Sequence, residues 1–342
     1  MSSKINFSIN GFGRIGRSVL RAFFKYPERY QDHLDIVAIN DIADINTLAH
    51  LFKYDSVMGK FNGTVEVKDD AIIINGKKVR VFKNNIGSIP WGEVNTDLVI
   101  ESTGLFLSKK DGETHLAGGA KKVIFSAPAN DDVERTIVMG VNENELLASD
   151  KMVSNASCTT NCLSPLVKVL EETFGVESAF MLTVHSYTLD QKILDSAHKD
   201  LRRARAGAVS MIPTSTGATK AVEKVFTHLK GKMAGYSVRV PTPDVSLTDV
   251  TAVLKKDATM EEINAAFKKA ADGSLKGILE FVDEPLVSMD MLGNPHSSIF
   301  DSLLTQVIGK KGKNIRVVSW YDNEWGYSNR LLDLAKKMGS IK

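Results

Sequence analysis

The sequence predicts an α/β protein of two domains, the first built on a parallel sheet with helices and the second an α+β unit with a mostly antiparallel sheet. Three observations carry this. The chain has 342 residues, more than one domain of ordinary size. Its first 25 residues read as strand, glycine turn and helix. After residue 157 long strand-like runs follow one another with few helices between them, the pattern of antiparallel pairing. The expected boundaries are 1–157 for the first domain and 158–322 for the second, with a C-terminal helix of about 323–342 packing back on the first.

Composition narrows the function classes. Lys and Arg number 43 against 41 Asp and Glu, so no basic face for nucleic acid or a membrane surface is expected. No apolar run approaches the ~18 residues of a membrane span. The opening "MSSKINFSINGFG" runs into a strand without an apolar leader. With only two cysteines, this points to a reducing, cytoplasmic setting.

In "KINFSINGFGRIGRSVLRAFFK", Ile5, Phe7 and Ile9 alternate as in a strand. Gly11, Gly13 and Gly16 follow, and then Ile15, Val19, Ala22 and Phe23 recur at helical spacing. A second apolar run, "LDIVAIND", ends in Asp41. Glycines that let backbone approach a pyrophosphate, a helix N-terminus with unpaired N–H groups, and an acid placed for ribose hydroxyls make the dinucleotide fingerprint of a Rossmann-type domain. "AIIINGKKVRVF" reads as a hairpin turning at Asn75-Gly76. "TDLVIESTG", "KKVIFSAPA" and "TIVMGVN" supply further strands. Thr103 and Gly104 end the first of these, and Ser126 the second, at the carboxyl edge where ligands bind.

In the second domain, "TTNCLSPLVKVLEETFG" reads as a helix burying Leu163, Leu166, Val167 and Leu170. "SAFMLTVHSYT", "AGYSVRVPTP", "SLTDVTAVL", "EPLVSMDM" and "NIRVVSWYDN" read as strands. "TMEEINAAFKKAADG" is a helix with a Thr259/Glu262 capping box and a stop at Gly273. "SNRLLDLAKKMGSIK" is a final amphipathic helix.

Both cysteines lie in "SNASCTTNCLSP". A Cys158–Cys162 disulfide is disfavoured by bridge geometry on a helix, and no second Cys/His cluster completes a metal site, so no metal is expected. The residues leave open an inert thiol or a reactive one. His185 shares strand parity with Met181 and Thr183. "LRRARAG" lacks apolar periodicity. "PTSTGATKAV" places hydroxyls at a helix start, either a simple cap or an anion site. A helix N-terminus and a charged histidine would both lower a thiol pKa, and a thiolate can add to an aldehyde whose hydride then passes to nicotinamide.

"NGFGRIGR", "SNASCTTNCLSP", "HSYTLDQ", "LRRARAG", "PTSTGATKAV", "VRVPTP" and "SWYDNEWGYS" occur in order, and over residues 4–338 the chain resembles phosphorylating glyceraldehyde-3-phosphate dehydrogenase. The resemblance implies NAD-dependent oxidation and phosphorylation of D-glyceraldehyde 3-phosphate through a cysteine hemithioacetal and thioester. It implies Cys158 as nucleophile, His185 as acid–base partner and Cys162 as bystander, with the Cys158 N–H and the Asn161 region at the oxyanion. Thr188, Asp190, Arg203 and Arg239 would surround the substrate's phosphate and inorganic phosphate, with Ser157, Thr159, Thr216 and Gly217 completing the anion pockets. Gly11, Gly13 and Gly16 would form the cofactor turn, with Arg14 and Ile15 presenting backbone to the pyrophosphate. Asp41 would hold the ribose, Thr103, Gly104 and Ser126 would lie along the cofactor, and Asn323 would bond the nicotinamide carboxamide. A homotetramer is implied as well.

The chain departs from the family's pattern in two places. "KNNIGSIPWG" puts Asn84 and Asn85 where an arginine often stands. Ser196-Ala197 replaces a frequent Leu-Pro pair, which admits NADP as a weaker alternative, against which Asp41 repels a 2′-phosphate. Two rival readings are an erythrose-4-phosphate dehydrogenase and a non-catalytic NAD- or RNA-binding relative. Retention of both Cys158 and His185 and the near-neutral charge weigh against the second.

Overall fold

The computed structural model describes residues 4–131 and 133–341. The chain forms two compact units, one of residues up to Ser157 together with those from Ser328 onward, the other Cys158–Tyr327.

The first unit is built on a nine-stranded sheet. Strand Ile5–Asn10 lies at its centre, parallel to Leu34–Asn40 on one side and to Leu98–Glu101 on the other. The chain thus builds outward one way and returns to build the other, which leaves a crevice at the carboxyl ends of Ile5–Asn10 and Leu98–Glu101. Lys77–Phe82 continues the sheet in parallel, and Ala71–Ile74 turns back on it through Asn75 and Gly76, at φ 49° and 80°. Both central residues are left-handed, as a two-residue hairpin turn demands. Apolar residues alternate or run continuously on these strands because both faces are covered: Phe7, Ile9, Ile36, Val99, Ile100 and Ile124 are fully buried. The helical stretch from Ser328 packs in this unit, where the Tyr30 hydroxyl donates to Asn329 Oδ1 and Arg29 grips Asp333 with two nitrogens. The run "TIVMGVN" differs from expectation. Only Arg135–Thr136 pairs, at the sheet edge, because Asn142 Oδ1 accepts the Val138 N–H and draws the chain into a turn.

The second unit carries an eight-stranded sheet, chiefly antiparallel, against which helix Cys158–Phe174 packs. Leu163, Leu166, Val167 and Leu170 of the helix join Met181, Val250, Leu254, Phe267 and Phe300 in one core. Pairing register decides what meets at one end of this sheet. Val176–Ser186 runs parallel to Met233–Val240, with His185 opposite Arg239. On its other side it is antiparallel to Ser246–Ala258, whose first residue faces Tyr321 of Gly312–Tyr321. Arg239, His185, Ser186, Ser246 and Tyr321 therefore line up across four adjacent strand ends. Met181, Thr183 and His185 are buried on the helix side, whereas Phe180 faces outward.

One expectation is corrected here, and two are given their exact ends. "EPLVSMDM" is not a strand: Ser288–Met291 is a 3₁₀ turn in which Asp290 accepts the Val287 N–H, a local bond that displaces a ladder bond. The strand lies earlier, at Leu279–Val282, parallel to Ser298–Asp301. Gly273 does end its helix, Met260–Asp272, which begins with the Thr259/Glu262 box, but at φ −118° it is not a left-handed stop. The last helix starts at Trp325, close to the expected 323 and three residues before the run "SNRLLDLAKKMGSIK", because the Asp322 carboxylate accepts the N–H groups of Glu324 and Trp325.

Candidate active site

The cradle in the first unit is made mostly of backbone. Gly11 sits at φ 87°, and a Cβ there would stand 2.6 Å from the Thr103 nitrogen; a Cβ on Gly16 would stand 2.3 Å from the Gly11 carbonyl oxygen. Both glycines are forced by the close approach of chain to chain. Gly13 is different: nothing lies within 4 Å of where its Cβ would be. It caps helix Arg14–Lys25 without a side-chain bond, and the first turn holds no acid. That combination leaves the positive helix end to an external anion, and so fits a pyrophosphate. The Arg14 side chain turns away to Asp55, so Arg14 and Ile15 offer the cradle their backbone only.

Asp41 accepts the N–H groups of Phe12 and Ala43, at 2.8 and 2.9 Å. These bonds fix its carboxylate beside the glycine turn, with Ile42 exposed after it. Thr103 and Gly104 follow Glu101, and Ser126 is held by its N–H on the Glu101 carbonyl. Asn84 closes the edge: Asn40 Oδ1 accepts its N–H, and Asn40 Nδ2 donates to its carbonyl. Sequence reasoning missed what supports this loop. Glu101 is fully buried; one oxygen accepts the Thr103 N–H and hydroxyl, the other accepts Asn10 Nδ2 and meets His115 Nε2 at 3.0 Å. Trp91 Nε1 donates to His115 Nδ1, which fixes the tautomer and leaves the Nε2 proton for Glu101. The signal for it lay in the acid at the end of an apolar strand.

The second unit holds the thiol. Cys158 opens helix Cys158–Phe174, and its Sγ stands 3.5 Å from His185 Nε2. His185 Nδ1 lies 2.7 Å from the Ser186 carbonyl; in the tautomer that carries its proton on Nδ1 it donates to that carbonyl, and Nε2 then presents a lone pair to the sulfur. Arg239 Nη1 is 2.8 Å from the same Nδ1 and also donates to the Ser186 carbonyl. Tyr321 sets its ring edge to face with His185, centroids 5.9 Å apart. The Tyr321 hydroxyl bonds the hydroxyls of Thr159 and Thr183, each at 2.9 Å. Cys162 is buried with its sulfur 3.7 Å from Ser298 Oγ, and burial pushes its thiol up to about 11. Both cysteines are free thiols.

Electrostatics differ from the sequence expectation of a charged histidine lowering the thiol pKa. Burial pushes the Cys158 thiol up; Arg239, the Thr159 hydroxyl and N–H groups at the helix start pull it part of the way back. Burial, with Arg239 second, holds His185 down to about 3. Burial thus works against charge on both members of the pair, and the permanent cation beside them is Arg239, 2.8 Å from His185 Nδ1.

The remaining site residues are placed as follows. Arg203 Nε donates to Thr214 Oγ1, and its guanidinium pairs with Asp190. Asp190 also meets His198, and these two partners hold its carboxyl below the usual range against burial. Thr188 donates by N–H and hydroxyl to Gln191 Oε1. Thr216 Oγ1 accepts the Ala218 N–H, a cap on helix Ala218–Val225, and Gly217 is open to solvent. The Thr159 hydroxyl is turned to Tyr321 rather than outward. Ser157 is half-buried at the end of the first unit. Asn323 is buried. Among the described residues, Arg239 Nε and Gln191 Nε2 are buried donors with no partner. Tyr321 was missed although it lies within "SWYDNEWGYS", because strand register, not spacing, brings it to His185.

Comparison with known proteins gives two family models. The "Glyceraldehyde 3-phosphate dehydrogenase, NAD binding domain" matches residues 5–109, and the "Glyceraldehyde 3-phosphate dehydrogenase, C-terminal domain" matches residues 157–323. The glyceraldehyde-3-phosphate dehydrogenase of Mycobacterium avium is 52% identical over 338 residues, covering 98% of each chain. That of Geobacillus stearothermophilus is 54% identical over 339 residues, again 98% of each. Glyceraldehyde-3-phosphate dehydrogenase 2 of Streptomyces avermitilis is 52% identical, over 98% of this chain and 99% of its own.

Proposed function

Because the chain belongs to the glyceraldehyde-3-phosphate dehydrogenase family, we propose that Cys158 and His185 carry its reaction, the NAD-dependent oxidation and phosphorylation of D-glyceraldehyde 3-phosphate to 1,3-bisphosphoglycerate. The observation that supports these assignments is the 3.5 Å approach of Cys158 Sγ to His185 Nε2, with the opposite ring nitrogen held 2.7 Å from the Ser186 carbonyl. His185 relays the thiol proton to the aldehyde oxygen as the C–S bond forms, giving a hemithioacetal. It then takes the hydroxyl proton of that adduct as the hydride departs, and a thioester remains on Cys158. Bound NAD supplies the hydride acceptor. A phosphate oxygen attacks the thioester carbon, the C–S bond breaks, and the thiolate recovers its proton from the imidazolium. Burial, with Arg239 second, keeps His185 neutral until it is needed as a base, and Arg239 steadies the thiolate on leaving.

Arg239 and Arg203, with Thr188, Asp190, Ser157, Thr159, Thr216 and Gly217, serve the two phosphates. Two guanidiniums and several hydroxyls suit two dianions better than one, and the partnerless Arg239 Nε supports this reading. Gly11, Gly13, Arg14, Ile15, Gly16, Asp41, Thr103, Gly104 and Ser126 hold NAD, and Asn323 bonds the carboxamide. Asp41 disfavours NADP by placing a carboxylate where a 2′-phosphate would go.

We further infer a cytoplasmic homotetramer. Leu189, Ile193, Leu194, Leu201, Val209 and Met211 all lie exposed along residues 189–211, more apolar surface than a lone chain keeps in one segment. Sedimentation would test this. The reaction itself is tested by incubation with substrate and NAD without phosphate, then mass spectrometry of the quenched protein. An acyl group on the Cys158 peptide is expected; an acyl group on Cys162, or none, overturns the assignment.

A further inference from the structure

The strand ends that carry His185 also carry a hydroxyl pair that the reaction as described leaves without a task. Asn323 Oδ1 accepts the hydroxyls of Ser186, at 2.8 Å, and of Ser246, at 2.7 Å. All three side chains are buried. Ser246 Oγ in turn accepts the Ser186 backbone N–H at 3.1 Å. A hydroxyl has one proton to give, and here both protons are given to the same oxygen. An asparagine amide can often be turned over with little consequence. In this site the turned amide would face both serines with its NH₂ group; the two hydroxyls lie 3.5 Å apart, so one could donate to the other, but the second would keep a buried proton without an acceptor.

The backbone before Ser246 points the same way. Val245 is buried and β-branched, yet sits at φ 66°, with its N–H held by Asp244 Oδ1 at 2.8 Å. A β-branched residue adopts this conformation only where its surroundings impose it, and such strain gathers at functional sites. The strained residue directly precedes the hydroxyl that meets Asn323.

We propose that Ser186 and Ser246 are positioning residues that lock the Asn323 amide so that it offers its Nδ2 hydrogens, and not its oxygen, to the carboxamide of nicotinamide. The inference rests on the reading of Asn323 as the carboxamide's partner. Ser186 then meets two groups at once, its carbonyl the His185 ring at Nδ1 and its hydroxyl the amide.

Equilibrium titration calorimetry without substrate tests this on the full chain, with NAD and with ADP-ribose, which lacks only the nicotinamide. Ser246→Ala, Ser186→Ala and the double variant should raise the ratio of the NAD to the ADP-ribose dissociation constant by about five- to thirty-fold, the scale of one buried hydrogen bond. ADP-ribose affinity itself should move less than about twofold, a split that a general loosening of the fold would not give. Asn323→Ala should raise the same ratio and make the serine substitutions silent when combined with it. If Asn323→Ala raises the ratio and neither serine variant does, the locking inference fails while the Asn323 assignment stands. If Asn323→Ala leaves the ratio unchanged, both fail. Ser246→Thr keeps the hydroxyl and should retain the wild-type ratio; a rise there equal to that of Ser246→Ala would also overturn the proposal.

Discussion

The dinucleotide cradle and the thiol centre solve recognition in different ways. The cradle is backbone: two glycines forced by chain-to-chain approach, a helix end without a cap, and one carboxylate pinned by two N–H groups. The thiol centre is side chains from four distant segments brought together by strand register, with His185 and Tyr321 buried and Cys158 and Arg239 half-buried. A cofactor used by many proteins needs a shape, which backbone supplies; a covalent step needs particular atoms at particular protonation, which only buried side chains supply. Damage to the cradle should therefore appear in cofactor affinity, and damage to the thiol centre in turnover.

The largest effect is expected from Cys158→Ser, which should lower kcat by about 10⁴-fold or more while the NAD dissociation constant changes less than about twofold. Loss of NAD affinity together with turnover would blur the division between the two regions. His185→Asn should lower kcat by roughly 10²–10⁴-fold, the span of general-base removal.

The same variant gives a pH test. His185 is held down to about 3 from an ordinary 6.5, so between those values the unfolded chain binds a proton that the native chain refuses. Stability from the neutral ring is complete above about pH 6.5 and is lost as pH falls toward 3. Asp322, raised to about 6 by burial, has the opposite sign and gives up stability as pH rises through that value. The difference between wild type and His185→Asn in melting temperature against pH isolates the histidine. A difference that does not shrink on acidification would show that the ring is not buried neutral.

Next comes Asp41→Ala, expected to weaken NAD by about ten- to a hundred-fold, the scale of charge-assisted bonds, with kcat at saturating NAD within about threefold. It should also narrow the margin over NADP. A fall in kcat alone would contradict a cradle role. The smallest effect should come from Tyr321→Phe, which keeps the ring against His185 and frees the hydroxyls of Thr159 and Thr183. A fall in kcat of about three- to tenfold, without change in NAD affinity, is expected from steady-state kinetics. No change in kcat would mean that the ring alone positions the imidazole.

The same contrast governs how far the sequence could be read. Gly11, Gly16 and Asp41 were legible because each is demanded by local geometry, and local geometry leaves a mark in spacing. The edges of the fold were less legible: "EPLVSMDM" has strand composition, but Asp290 caps a turn there, a side-chain bond that composition does not reveal. Cys158 at a helix start and His185 on the buried face of its strand could each be read from pattern. Their meeting could not, since it depends on Val176–Ser186 lying between Met233–Val240 and Ser246–Ala258. Tyr321, Ser186 and Ser246 went unread for that reason, and so did the guanidinium beside the imidazole, 54 positions away in the chain.

Trp91 lies at the far end of the hydrogen-bonded chain that runs through His115 and Glu101 to Thr103, and the first unit contains no other tryptophan. Its indole thus senses the loop through three consecutive contacts while staying wholly shielded from solvent. Ultraviolet emission from this one ring should shift or quench when ADP-ribose settles on the glycine turn, giving an optical readout of cradle occupancy that needs neither a label nor a reacting thiol. Substituting His115 with phenylalanine would cut that wire, and the emission should then fall silent to the ligand.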